Sequence, residues 1–401
     1  MDELFRTTAE PSGVLDSPRS SAATPIPFNR PSITDAEQIA IAEALARAHL
    51  SGDGPFTKQC HQLLEQQMGV PRALLTTSCT HALEMAALLL DVGHGDEVII
   101  PSFTFVSSAN AFVLRGARPV FIDIRPDTLN LDERLLEELI SPRTKAVVPV
   151  HYAGVGCEMD TICDITRRHG LAIVEDNAHG LFARYKSRLL GTFGCLATQS
   201  FHETKNFSCG EGGALLINDP QFVERAEILR EKGTDRSRFF RGMVDKYTWV
   251  DIGSSYLPSE ILAAALYAQL ERRAEIQVKR ERVWRNYFQW LGPWAARCDT
   301  RLPVVPAHCE QAYHLFYMLL PTPAERDALI QHLKSRSIQS VFHYLPLNRS
   351  KGSQLSGAAD TDCPVAEDIS ERLLRLPFYT DLGESDQQAV VEAIEDFNGS
   401  A

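Results

Sequence analysis

No apolar run in this chain is long enough to span a bilayer. The most apolar windows, "ALEMAALLLDV" and "EILAAALYAQL", fall short of the ~20 residues a transmembrane helix needs. Positive charge is also scarce: 40 Lys and Arg face 52 Asp and Glu, a net charge of -12. That argues against a nucleic-acid binder, whose affinity comes from cationic neutralisation of phosphates. A small anionic ligand stays open, because one helix N-terminus binds a phosphate whatever the overall charge. The nine cysteines form no CxxC pair and no Cys/His cluster at zinc-ligand spacing. Reduced thiols, a cytoplasmic location and no bound metal are therefore expected. The opening stretch "MDELFRTTAEPSGVLDSPRSSAATP" lacks the apolar segment of a secretory signal. Its Ser, Pro, Thr and Ala content predicts a disordered extension over 1–24.

From Pro25 onward short apolar runs alternate with helical patterns. "ALLTT", "EVIIP", "RPVFIDI", "KAVVPVHY", "LAIVED", "CLATQSF" and "GGALLIN" read as strands. "HALEMAALLL", "SSANAFVLRG" and "MDTICDITRRHG" between them read as helices. Such alternation predicts an α/β domain with a mostly parallel sheet covered on both faces, here over 25–265. Ligands of such sheets gather at the carboxyl ends of the strands. The pattern then changes to one long predicted helix, "SEILAAALYAQLERRAEIQVKRERVWRNYFQWLG". With "AYHLFYMLL" and "QSVFHYLPL" as strands around the helix "PAERDALIQHLKSRS", residues 266–401 read as a connecting helix and a smaller α+β domain.

Unusual residues stand at the strand ends. In "TTSCTHALEMA" a strand passes at once into a helix, so Ser78, Thr80 and free amides form either an anion pocket or a plain N-cap. "AIVEDNAHG" delivers Glu175 and Asp176, as structural acids or as a partner for a cationic ring. Metal-ligand spacing is lacking there. "QSFHETKNFSCGEGGA" offers Ser200 and Lys205, with Gly210, Gly212 and Gly213 permitting tight turns. "PSFTFVSSANA" adds Phe103 and Phe105. An anion pocket, an amine, an acid and an aromatic are together what pyridoxal phosphate requires.

The chain resembles sugar-nucleotide aminotransferases of the DegT/StrS family, and within it the dTDP-4-amino-4,6-dideoxygalactose transaminases. The likeness runs from "IPFNRP" to "RLLRLPFY" and includes "GDGPFT", "VPVHYAG", "SFHETKN", "REKGTDRS", "FFRGMVDKYTW" and "DIGSSYL". It implies the fold-type I, aspartate aminotransferase-like architecture, with a three-layer large domain. It also implies Lys205 as the lysine that bonds the cofactor and Asp176 as partner of the ring nitrogen. Ala178 and Phe105 would lie against the two ring faces, His179 near the ring hydroxyl, and Ser200, Thr80 and the Cys79–Thr80 amides at the phosphate. Arg241, Tyr247 and His343 are candidate substrate contacts. The implied reaction moves an amino group from L-glutamate to the 4-keto carbon of dTDP-4-keto-6-deoxy-D-glucose, in a homodimer or dimer of dimers. A 3-aminotransferase would share every cofactor residue. A 3-dehydrase of this fold would carry histidine in place of Lys205, and a non-enzymatic regulator would not need the set. The chain departs from the family at Cys79, often glycine, and at Asn348, often histidine. A third departure is Leu257, where many members place an asparagine on the partner's cofactor phosphate, a contact assigned instead to Ser254 or Ser255.

Overall fold

The seven strand patterns of the large domain settle into one sheet whose faces are covered by helices. The computed structural model describes residues 25–397, so the expected disordered extension lies outside the described residues. In chain order come α1 (Asp35–Ala46), α2 (Pro55–Met68), β1 (Arg72–Thr76), α3 (Cys79–Leu89), β2 (Glu97–Pro101), α4 (Ser107–Val113), β3 (Arg118–Ile122) and β4 (Thr144–Val147). There follow α5 (Met159–His169), β5 (Ala172–Asp176), β6 (Arg184–Tyr185), β7 (Arg188–Leu189), β8 (Leu196–Ser200), β9 (Gly213–Ile217), α6 (Val223–Arg230), α7 (Arg236–Phe240) and α8 (Glu260–Glu271).

The main sheet has the order β1-β9-β8-β5-β4-β2-β3. All neighbours are parallel except around β9, which runs antiparallel to β1 and β8. Alternate residues serve opposite faces, as strand geometry requires. Leu74 joins the layer of α3 and α4, while Ala73 and Leu75 join that of α1, α2 and α8. On the same side as the latter, α5 covers Ile99, Val147 and Ile173. The result is three layers with the sheet in the middle. No helix among the described residues is long and apolar enough to cross a membrane.

The C-terminal part contains α9 (Arg273–Arg297), β10 (Cys309–Glu310), β11 (Tyr317–Leu319), α10 (Pro323–Ser335), α11 (Lys351–Leu355), α12 (Pro364–Arg372), β12 (Leu373–Arg375) and α13 (Glu384–Glu395). Its own core gathers Val283, Tyr287, Phe316, Met318, Leu374 and Ile394. The chain start is tied to this unit: Ile26 bridges Ile338, and the Phe28 carbonyl accepts from Phe378 N–H at 3.0 Å.

Two expectations are corrected. The long helix is two, broken at Arg272 (φ -88°, ψ 11°), whose side chain bonds Thr34 and Glu37 behind and Glu275 ahead. The break lets α8 stay on the large domain while α9 turns into the small-domain core. "QSVFHYLPL" is not a strand, and only Val341 bridges Arg375. Beyond the Val341–Arg375 bridge the chain does not continue along β12 but turns so that His343 and Tyr344 line a cavity.

Candidate active site

The carboxyl ends of β5 and β8 and the start of α3 open onto a cavity of about 620 Å³, closed from above by the small domain. Ser78 caps α3, accepting from His81 N–H at 3.1 Å. The first amides of the helix, those of Cys79 and Thr80, have no intrahelical acceptor and carry the positive end of its dipole. Thr80 Oγ1 lies 2.7 Å from Ser107 Oγ, which holds that hydroxyl at the cavity wall. β9 begins directly beneath: a Cβ on Gly213 would stand 2.3 Å from Ser78 C and 2.4 Å from Cys79 N. Close backbone approach, rather than a tight turn, is what this glycine permits.

The two acids of β5 divide. Glu175 faces away from the cavity and is saturated, accepting from the N–H groups of Gly191 (2.7 Å), Phe193 (2.6 Å) and Gly194 (2.8 Å), with His151 Nε2 at 3.0 Å. It is a structural acid. Asp176 lines the cavity, accepting from Ser108 Oγ at 2.7 Å and from Ala178 N–H at 3.2 Å. Alternation along one strand separates the neighbours.

Lys205 sits in the turn between β8 and β9, its N–H on the His202 carbonyl at 2.9 Å, and its side chain reaches the cavity. Burial disfavours the ammonium and lowers its pKa to about 8. The Asp176 carboxylate acts in the opposite direction, and Arg375 adds to the lowering. The next residue, Asn206, fixes the loop by donating to the Ala312 carbonyl (2.7 Å) and accepting at Oδ1 from His314 Nδ1 (2.9 Å).

The opposite wall comes from the small domain and the chain start. His179 stacks on His314, ring centroids 4.1 Å apart, and its Nε2 is 3.3 Å from the Tyr344 hydroxyl. Its Nδ1 is buried without a partner. Arg375 donates through Nε and Nη2 to the Phe342 carbonyl, and its guanidinium lies 4.8 Å from the Phe28 ring centroid. His314, Tyr344, Arg375 and Ser108 were not read from the sequence as site residues. Arg375 lies within the quoted "RLLRLPFY", and nothing local distinguishes its arginines.

The cavity thus gathers Cys79, Thr80, Phe105, Asp176, Ala178, His179, Ser200, Lys205 and His343. Ser254, Ser255, Arg241 and Tyr247 do not line it within their own chain. The serines are exposed beside Glu231 and Lys232, and Arg241 pairs with Glu227 at 2.6 Å. Asn348 is occupied: it accepts from Ser102 Oγ at 2.6 Å and donates to Glu367 and the Thr361 carbonyl. Leu257 packs over Gly52.

A phosphate-bearing pyridine aldehyde fits these residues. An amide cradle approached closely by Gly213, an unpartnered ring nitrogen on His179, an acid and an amine whose pKa burial lowers to about 8 meet in one cavity. No group of three or more His, Cys, Asp or Glu among the described residues could hold a metal ion.

Known proteins share this fold over nearly the whole chain. The aminotransferase TlmJ from Streptoalloteichus hindustanus is 31% identical, with TM-score 0.85 over 93% of this chain and 98% of its own. DesV from S. venezuelae is 30% identical, with TM-score 0.83 over 93% and 98%. Spr1654 from Streptococcus pneumoniae, solved in its PMP form, is 28% identical, with TM-score 0.86 over 93% and 97%. A family model matches residues 31–395, nearly the full described length, and the chain accordingly belongs to the DegT/DnrJ/EryC1/StrS aminotransferase family.

Proposed function

We propose that this aminotransferase uses pyridoxal phosphate to move an amino group from L-glutamate to C4 of dTDP-4-keto-6-deoxy-D-glucose. The products would be 2-oxoglutarate and dTDP-4-amino-4,6-dideoxy-D-galactose. The observation that carries the chemistry is Lys205, an amine lowered to about 8 in the same cavity as Asp176 and the α3 amides. The choice of C4 is supported by the block "FFRG…DKYTW…GSSYL".

The cofactor, when bound, supplies an aldehyde that exchanges amino groups and a ring that withdraws electrons. Cys79 and Thr80 amides, Thr80 Oγ1 and Ser200 would hold its phosphate. Asp176, kept in place by Ser108 and the Ala178 amide, would hold a proton on the ring nitrogen. His179 would direct its free Nδ1 to the ring oxygen. Lys205 Nζ would move the proton from the donor's Cα to the cofactor's former aldehyde carbon, as general base and then general acid, and would move one the opposite way, onto C4 of the sugar, in the second half-reaction. The cavity wall of His179, His314, Tyr344 and Phe105 limits water at that carbon.

The decisive experiment offers the loaded enzyme and L-glutamate each of two acceptors, the 4-keto and the 3-keto 6-deoxyhexose nucleotide. NMR of the product then reads the position and configuration of the new amine. Amination of the 3-keto sugar alone would overturn the assignment to C4.

A further inference from the structure

One imidazole of the cavity has its proton placed by a residue that does not itself line the cavity. Tyr152, 1% exposed, packs between Phe103 and Tyr317. Its hydroxyl lies 2.7 Å from His343 Nδ1 and has no other partner among the described residues. Burial keeps this phenol protonated, pushing its pKa well above the ordinary value. Burial also keeps His343 neutral, and Arg375, His179 and Lys205 act in the same direction.

A neutral imidazole has one N–H. Were it on Nδ1, the phenol proton would be left buried without an acceptor, a costly arrangement. The phenol therefore donates to Nδ1, and the ring proton stands on Nε2. His343 lines the cavity, and its Nε2 has no protein partner among the described residues. His314 is set the other way, since Asn206 Oδ1 can only accept and so draws the proton to Nδ1.

We infer that His343 is a neutral Nε2–H donor to an uncharged oxygen of the keto-sugar acceptor, and that Tyr152 is the positioning residue that fixes this tautomer. A carboxylate oxygen is matched better by a charged donor, which the same cavity holds in the Arg375 guanidinium. Hydroxyl and carbonyl oxygens are matched by a neutral one. A donor left unpaired in the cavity also discriminates against an acceptor that lacks the oxygen. The inference rests on the reading that the acceptor is a keto sugar.

Two measurements test it. In the holoenzyme labelled with ¹⁵N-histidine, the His343 signals, assigned by their loss in His343→Gln, should show an Nε2–H tautomer that is disturbed in Tyr152→Phe. An Nδ1–H tautomer in the unaltered enzyme would overturn the proposal without reference to any substrate. The half-reactions are then timed separately by cofactor absorbance. Tyr152→Phe should lower kcat/KM for whichever keto sugar the unaltered enzyme aminates by about tenfold or more, and leave the L-glutamate half-reaction within about threefold. His343→Gln, whose amide donor does not depend on Tyr152, should lose no more when Tyr152→Phe is added. Equal loss in both half-reactions, or additive losses in the double variant, would make Tyr152 merely structural. If the unaltered enzyme aminates neither keto sugar, the functional reading fails, and the sugar-donor inference fails with it even where the tautomer stands.

Discussion

A lysine amine acts as nucleophile or base only while neutral, and the surroundings of Lys205 favour that form. With its pKa lowered to about 8 by burial, roughly a tenth of the group is neutral at pH 7, against less than a thousandth for an ordinary lysine. Because burial penalises the charged form, raising the pH through 8 releases the proton. The rate at which cofactor-free protein captures pyridoxal phosphate should rise about tenfold between pH 7 and 9 and then level off, as read by stopped-flow absorbance. A rise continuing past pH 10 would mean an unshifted lysine. Borohydride treatment of the loaded protein should fix the cofactor to the Lys205 peptide, and Lys205→Ala should lose turnover by several orders of magnitude. Asp176→Asn keeps the hydrogen-bonding shape but not the charge. Turnover should fall on the order of 10²-fold, about 3 kcal/mol of barrier, with cofactor still bound; near-normal turnover would make the acid structural.

At the scale of elements, what carries the site is a crossing of β9 under the first turn of α3. The sequence announced each piece: "TTSCTHALEMA" read as strand into helix, "GGALLIN" as a strand, and both formed close to their expected limits. Their adjacency, and the antiparallel direction of β9, were not visible there, because pairing between residues as far apart as Arg72 and Ile217 is a matter of packing rather than local pattern. The reason for glycine at 213 emerged only with that pairing. Gly213→Ala should push β9 and the helix start apart, lowering stability by about 1–3 kcal/mol. Thermal unfolding and cofactor titration would both show it, with the affinity loss persisting at temperatures where the variant is fully folded. An unchanged cofactor affinity would show that the amides at 79 and 80 are not the cradle. The false strand "QSVFHYLPL" has the same origin, since its apolar content does not reveal that pairing with β12 stops at the single Val341–Arg375 bridge.

Across the whole molecule, legibility falls with sequence separation and with the number of chains a feature needs. Lys205 and Asp176 stand in short recognisable segments, whereas Arg375 and His314 reach the same cavity from the distant small domain and carry no local signature. Residues that serve a neighbouring subunit are harder still. The segment from Phe239 to Tyr256 leaves Phe240, Met243, Tyr247 and Trp249 at least half exposed, Trp249 as much as 77%. Large clustered apolar side chains of this kind mark protein interfaces. Phe105, an expected ring contact, is also 56% exposed within one chain. We propose a homodimer in which this segment crosses to the partner's site, with Ser254 and Ser255 assuming the phosphate contact left open by Leu257. Mixing Lys205→Ala subunits with Ser254→Ala/Ser255→Ala subunits separates the alternatives. If the segment crosses, each hybrid dimer has one site with both defects and one with neither, and about half of one dimer's activity should return on exchange. Hybrids verified by mass that remain inactive, or a double-serine variant that is fully active alone, would place the serines in no one's active site.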